Sequence, residues 1–180
     1  ETGANLGFAG GVNRGLAEAT GRFIAVLNPD IETAPGALDV LVDFLESHPE
    51  TGIVAPKLLN ADGSLQHSCR RYYTLKTILL RRTLLGRFFP NSASLRSHLM
   101  LDYDHASPRA VDWVAGAAMM VRREALDDVG PMDERYFLYF EDVDWCQRMQ
   151  ARGWLVHYVP AAIMTHGWQR ASGALGRAAR

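Results

Sequence analysis

Arg22-Phe23-Ile24-Ala25-Val26-Leu27-Asn28-Pro29-Asp30 decides the fold class. The run from Arg22 to Leu27 is short, apolar after its first residue and suited to a buried strand. Proline cannot continue a central strand, so Asp30 leaves the sheet at that strand's C-terminal end. In open α/β sheets this is the edge where ligands bind. A lone aspartate after a strand is more often a turn former than a metal ligand, so the meaning of Asp30 depends on what else reaches that edge.

Working outward, Leu6 to Thr20 reads as a glycine-opened helix closed by Gly21. Its glycines suit either close helix packing or close approach of backbone to a ligand. Pro35 to His48 carries Leu38, Leu41, Val42 and Leu45 at helical spacing, which predicts an amphipathic helix covering one sheet face. Ile53-Val54-Ala55 and Lys57-Leu58-Leu59 read as short strands, and Asp62-Gly63-Ser64 as a hairpin turn before Leu65-Gln66. Val111 to Val121 is a further strand candidate, in which Trp113 stands beside the small residues Ala115 to Ala118; that pairing suits a sugar stacked on the ring and equally a core tryptophan. Arg122 and Arg123 open a short helix through Leu126, and Trp154 to Val159 reads as a strand, followed by Pro160 and then Thr165-His166-Gly167. The alternation predicts a mixed α/β domain. At 180 residues, 48% hydrophobic and 22% charged, the chain can bury one sizeable core, so a single domain over residues 1–180 is expected.

Phe137-Leu138-Tyr139-Phe140-Glu141-Asp142-Val143-Asp144-Trp145-Cys146 sets three carboxylates directly behind a wall of aromatics. Beyond Asp144, Trp145, Met149 and the turn at Gly153 fit a helix of about three turns with a glycine cap. The carboxylates therefore fall at its N-terminus, where unpaired N–H groups and the helix dipole favour an ionised acid. This stretch alone fits a proton-accepting base and a helix cap equally well. Asp144 and Arg148 are i, i+4 neighbours expected to pair, which makes Asp144 the more structural carboxylate.

Residues 70–110 read as a basic and apolar insertion. Leu75, Ile78, Leu79, Leu80, Leu84, Leu85, Phe88 and Phe89 fall on nearly every side of a projected helix, interrupted by Lys76, Arg81, Arg82 and Arg87. The segment is too short and too charged to span a membrane. It is compatible with peripheral contact at an anionic membrane surface, with an internal helix whose arginines snorkel, and with a flap over a substrate. Asn91 to Arg109 reads as a mobile loop. The net charge of −1 gives no reason to expect a nucleic-acid partner, and Cys69 and Cys146 lack metal spacing, so reduced thiols and a cytoplasmic location are expected.

Five motifs in order, Asn5 to Gly15, Leu27 to Asp30, Trp113 to Ala117, Phe137 to Cys146 with Arg148, and His166, resemble the bacterial family 2 glycosyltransferases, specifically the rhamnosyltransferase and galactofuranosyltransferase branch. Gly130-Pro131-Met132-Asp133-Glu134 agrees with the same likeness. The resemblance implies a GT-A fold with a mixed central sheet, and inverting transfer from a nucleotide-diphosphate sugar to a glycan or polyprenyl-linked acceptor at the inner face of the cytoplasmic membrane. By motif, Asp142 takes the place of the catalytic base, with Glu141 beside it to orient the acceptor or hold the loop. Asp30 and His166 match the metal site for Mg²⁺ or Mn²⁺. Asn5, Asn13, Arg14, Asn28 and Asp30 match donor-binding positions, and Trp113, Gly116 and Ala117 match the segment near sugar and acceptor.

The same resemblance implies an early strand, helix and strand that this sequence lacks, so an N-terminally truncated fold with an exposed sheet edge is expected. That expectation admits an inactive fragment or non-catalytic binding module as the rival reading. A nucleotidyltransferase would want a glycine-rich, basic phosphate loop near its start, and the sequence has none.

Overall fold

The computed structural model describes residues 3–83, 89 and 92–167. The expectations for Leu84, Leu85, Arg87, Phe88 and Asn91 lie outside the described residues. Helix α1 (Gly7–Glu18) leads into β1 (Phe23–Leu27) and β2 (Ile31–Thr33), followed by α2 (Ala37–Ser47), β3 (Thr51–Leu59), β4 (Leu65–Gln66) and β5 (Cys69–Arg70). Next come α3 (Leu75–Arg82), α4 (Ala93–His98), β6 (Arg109–Ala110), β7 (Trp113–Val114) and β8 (Ala118–Arg122), then α5 (Arg123–Val129), α6 (Glu141–Ala151) and β9 (Leu155–His166).

The main sheet runs β1-β8-β3-β9-β2, with β4 added to β3 and β6 to β9. It is mixed: β3 and β9 are parallel, and the other pairs are antiparallel. The period-2 pleat divides each central strand between two cores. Ile53, Met119 and Val121 face one core with Leu16, Ile24, Val26, Trp145 and Met149. Val54, Met120 and Met164 face the other with Leu41 and Leu45 of α2. Cover on both faces explains why all five residues of β8 are buried.

At the end of the sheet, β1 buries Ile24 and Val26 but leaves Ala25 and Leu27 exposed, so it is an edge strand and not the fully buried one expected. Its outer side has no strand partner among the described residues. A groove lies there between β1 and α1, lined by Gly11, Gly15, Leu16, Ile24 and Val26 among others.

Four sequence expectations are corrected by the structure. The two short strands around Pro56 are one strand, β3, and β9 runs through Pro160 to His166. The register jumps from Pro56 opposite Val159 to Lys57 opposite Ile163, so both prolines sit at an irregularity where the ladder needs no N–H. Val111 to Val121 is not one strand. Ala115 N–H bonds to Ser68 O and Ala117 O accepts from Asn28 N–H, which spends this segment's backbone on neighbours and leaves a break between β7 and β8. The segment 92–109 is ordered against the body: α4 forms, His98, Met100, Tyr103 and His105 are buried, and β6 pairs with β9.

Arg122 is a buried tie. Its guanidinium donates to Thr51 O at 2.9 Å, to His48 O at 3.1 Å and to Leu45 O, satisfying carbonyls at and beyond the C-terminus of α2. Both cysteines are free and buried, and burial pushes their thiols up to about 11 for Cys69 and about 12 for Cys146.

Candidate active site

Asp142 sits in the first turn of α6. The two residues before that helix, Tyr139 and Phe140, have φ of 71° and 75°. This left-handed pair turns the chain sharply into the helix and leaves Phe137, Leu138, Tyr139 and Phe140 exposed. Phe140 is the N-cap and its side chain makes no cap bond, so Asp142 stands inside the first turn and not at the N-cap. Its Oδ2 accepts from Gly116 N–H at 3.0 Å and its Oδ1 from Val143 N–H at 2.8 Å. A side chain at Gly116 has no room: a Cβ there would lie 2.9 Å from Phe8 Cε1 and 3.5 Å from Asp142 Cβ. Gly7 makes a second close approach. At φ +73° its backbone lies against Phe137, where a Cβ would meet the carbonyl oxygen at 2.4 Å, and Phe8 N–H bonds to that same oxygen.

Burial raises the Asp142 pKa above the ordinary carboxylate range, against the opposing pull of the Gly116 and Val143 N–H groups and the charge of Arg70. Glu141, 5% exposed, is also raised by burial, and its Oε2 has no hydrogen-bond partner among the described residues. A carboxylate held by N–H donors, with its pKa raised toward neutrality, is a competent proton acceptor.

Asn28, Trp113, Gly116, Ala117, Glu141, Asp142 and His166 line one cavity of about 670 Å³, together with Phe8, Gln66, Arg70 and others. A second cavity of about 560 Å³ is lined by Tyr73, Ile78, Trp113, Tyr139, Phe140, Asp142 and Val143. Trp113, Tyr139 and Asp142 belong to both walls. Trp113 is a core residue, 6% exposed with its Nε1–H donating to Arg71 O, and it also forms part of both cavity walls.

Asp30 and His166 meet where β2 pairs with the end of β9. Gly167 N–H bonds to Asp30 O, and His166 Nε2 lies 3.3 Å from Asp30 Oδ1. His166 Nδ1 is 2.9 Å from Gln66 Oε1. An amide oxygen only accepts, so Nδ1 is the nitrogen that donates to Gln66 and Nε2 is the one turned toward Asp30. Two ligands in cis positions at ~2.1 Å from one ion would stand about 3 Å apart, so the pair fits a divalent cation. Among the described residues no third His, Cys, Asp or Glu joins them. One carboxylate completed by substrate phosphates and water is a normal Mg²⁺ shell, and the imidazole also suits Mn²⁺.

The family model for glycosyltransferase like family 2 matches residues 2–178. The chain belongs to this family. It is 35% identical over 176 residues to the N-acetylglucosaminyl-diphospho-decaprenol L-rhamnosyltransferase of Mycobacterium tuberculosis, covering 92% of this chain and 57% of that protein. A low-salt glycan biosynthesis hexosyltransferase of Haloferax volcanii is 28% identical over 154 residues, covering 82% of this chain and 44% of the relative. A dTDP-rhamnosyl transferase of Shigella flexneri is 43% identical over 47 residues, covering 26% of this chain and 16% of the relative. The chain thus spans little more than half the length of the mycobacterial relatives. Among solved structures, GalNAc-T7 with UDP, GalNAc and Mn²⁺ superposes with a TM-score of 0.63 at 15% identity, covering 91% of this chain and 31% of that one. The fold is GT-A-like.

Within this family 2 chain, four of the donor-binding positions carried over by motif are not among the residues lining either cavity: Asp30, which reaches the larger one through His166, and Asn5, Asn13 and Arg14. Asn5 Oδ1 accepts from Gly7 N–H at the start of α1. The Asn13 amide is spent on the following loop, donating to Met132 O and Glu134 Oε1 and accepting from Met132 N–H. Arg14 is exposed on α1. Asp144 and Arg148 pair at 2.7 Å, and Arg148 also donates to Val129 O and Pro131 O, tying α6 to the preceding turn. Sequence reasoning missed Phe8, Gln66 and Arg70. Gln66 had a usable signal, since the Asp62-Gly63-Ser64 turn folds it back onto β3, beside the strand that carries His166.

Proposed function

We propose that this chain carries the transfer site of an inverting, metal-dependent glycosyltransferase, moving a sugar from a nucleoside-diphosphate donor to a hydroxyl of a glycan or polyprenyl-linked acceptor. The observation that carries the reading is Asp142, held by the Gly116 N–H at the junction of two cavities with His166, the partner of Asp30, on one wall.

In this reading the acceptor hydroxyl gives its proton to Asp142 as its oxygen attacks the anomeric carbon. The new C–O bond forms on the face opposite the leaving group, and the old bond breaks with its electron pair passing to the nucleoside diphosphate. Asp30 and His166 would hold Mg²⁺ or Mn²⁺, which when bound neutralises charge on the diphosphate. Asn28 has a wall position toward the donor, whereas Asn5, Asn13 and Arg14 would reach it only by movement of α1. The backbone at Gly116 and Ala117 and the face of Trp113 border the sugar, and the buried Glu141 orients the acceptor.

The name of the mycobacterial relative supports a lipid-linked acceptor, and that of the Shigella relative supports a deoxythymidine diphosphate donor. No helix of the described residues is long and apolar enough to cross a membrane. Leu75, Ile78 and Leu79 of α3 are exposed beside Lys76, which supports peripheral contact with the membrane that bears such an acceptor.

The test is calorimetric titration with dTDP, UDP and GDP, with and without Mn²⁺, on the wild type and on Asp30→Ala. Metal-dependent binding that Asp30→Ala weakens is expected. Binding that is indifferent to metal and to Asp30 would overturn the assignment of the ion.

A further inference from the structure

Buried polar groups in folded proteins nearly always find a hydrogen-bond partner, so those that do not require an explanation. Three of them stand on residues that line the larger cavity: His67 Nδ1, Ser68 Oγ and Glu141 Oε2 have no partner among the described residues. Ser68 is 3% exposed and Glu141 5%. Elsewhere on the same wall, Asn60, Gln66 and His166 are spent on one another. Gln66 Nε2 donates to Asn60 Oδ1 at 3.0 Å, and Gln66 Oε1 accepts from His166. The wall therefore has a bonded side next to Asp30 and His166, and a second set of polar groups left unpaired.

That second set flanks Asp142. Glu141 directly precedes it at the start of α6. Ser68 O accepts from Ala115 N–H, one residue before the Gly116 N–H that holds Asp142. His67 adjoins Ser68, and burial with the nearby charge of Arg70 lowers its pKa, so the ring is neutral at pH 7 with one nitrogen donating and the other accepting. A hydroxyl, a neutral imidazole and a carboxyl group together give and receive hydrogen bonds. Sugar hydroxyls do the same, whereas a phosphate only accepts and an ammonium only donates.

We infer that His67, Ser68 and Glu141 form a polyol subsite that selects the acceptor sugar by its ring hydroxyls, their polar atoms turning from beneath the cavity surface to meet it. The inference rests on the transferase reading and deepens it by assigning the residues that discriminate among acceptors. In that reading the hydroxyl that loses its proton stands at Asp142, so the other hydroxyls of the same ring fall to the neighbours of Asp142, while the donor's diphosphate belongs to Asp30 and His166. Each group is stranded in the free enzyme and is paired when a matching hydroxyl enters. An analogue lacking that hydroxyl leaves the group unpaired, which is the source of the discrimination.

The test joins stability to binding on the full chain. By differential scanning calorimetry, Ser68→Ala and Glu141→Met should be as stable as the wild type or up to about 4 °C more stable, since each removes a stranded polar group. Ligand-observed NMR titration then uses the methyl glycosides of glucose, galactose and mannose, beside tetrahydropyranyl methanol, the same ring without its secondary hydroxyls. At least one glycoside is expected to bind about tenfold more tightly than the bare ring. Each variant should lose roughly threefold to tenfold of that affinity, and Glu141→Gln less than Glu141→Met. A lowered melting temperature in either variant, or glycosides that bind no better than the bare ring, overturns the inference and leaves buried water as the partner of these groups. Whichever of dTDP, UDP and GDP binds with Mn²⁺ is titrated beside its glucose conjugate, and the variants should change neither affinity. A loss confined to the conjugate would assign the subsite to the donor sugar and also overturn the inference. If the subsite fails while metal-dependent nucleotide binding persists, the transferase reading stands.

Discussion

Replacing Gly116 by alanine tests whether the cavity wall and the Asp142 carboxylate are positioned as one unit. The added Cβ would lie 2.9 Å from Phe8 Cε1 and 3.1 Å from Cζ, against an ordinary contact of 3.4–4 Å. About half an ångström of movement is therefore required, and the Phe8 ring, packed against the core, absorbs only part of it. The remainder falls on the 3.0 Å bond from Gly116 N–H to Asp142. Overpacking of this kind costs about 1–3 kcal/mol, which lowers the melting temperature by roughly 2–10 °C for a chain of this size. A displacement of an ångström at a reacting group costs about a hundredfold in rate, so half that displacement should cost on the order of tenfold in kcat. Gly15→Ala is the control: a Cβ there meets nothing within 4 Å, and alanine in a helix gains about 1 kcal/mol over glycine. Differential scanning calorimetry and steady-state transfer assays on both variants check the pair. A Gly116→Ala protein as stable and as active as the wild type would refute the reasoning.

Three other outcomes follow from the same geometry. Because burial raises the Asp142 pKa and the base must be ionised, the acid limb of kcat/KM should lie above the ordinary carboxylate range of about 4; Arg70→Met, which removes a lowering charge, should move it higher, as a pH-rate profile would show. For stability the sign is opposite: with Asp142 and Glu141 raised in the folded state, rising pH ionises them in the unfolded chain first. Their contribution to folding therefore falls between the ordinary and the raised values, and Asp142→Asn should flatten that part of the denaturation profile. Arg122→Met should take the guanidinium from two buried carbonyls, Thr51 O and Leu45 O, at roughly 1–3 kcal/mol each, while His48 O keeps its bond from Thr51 N–H, and thermal unfolding should occur at least about 4 °C lower.

Elements with a clean period were legible from sequence: α1, β1, α2, α6 and the β3–β4 turn all fall where apolar spacing, glycine and proline put them. Prolines misled where a register shift removed their cost, at Pro56 and Pro160, because an irregularity between two distant strands leaves no local trace. Val111 to Val121 misled for the converse reason, since its break depends on hydrogen bonds to Ser68, Asn28 and Asp142 that only the tertiary fold supplies. At the site, Asn28, Asp30, Gly116, Asp142 and His166 were legible through ordered motifs. Arg70 and Tyr73 were not, because the two cavities they line draw on 65–78, 113–117 and 138–143, segments that share no periodicity.

The central claim is that Asp142 takes the acceptor's proton while the ion site works independently of it. The direct measurement is transfer from a nucleotide sugar by Asp142→Asn, in the same preparation whose metal-dependent nucleotide binding is measured by calorimetry. A loss of turnover of about 10²–10⁴-fold with nucleotide affinity unchanged is the predicted result. Turnover near the wild-type rate, or a loss matched by an equal loss of nucleotide binding, would contradict it.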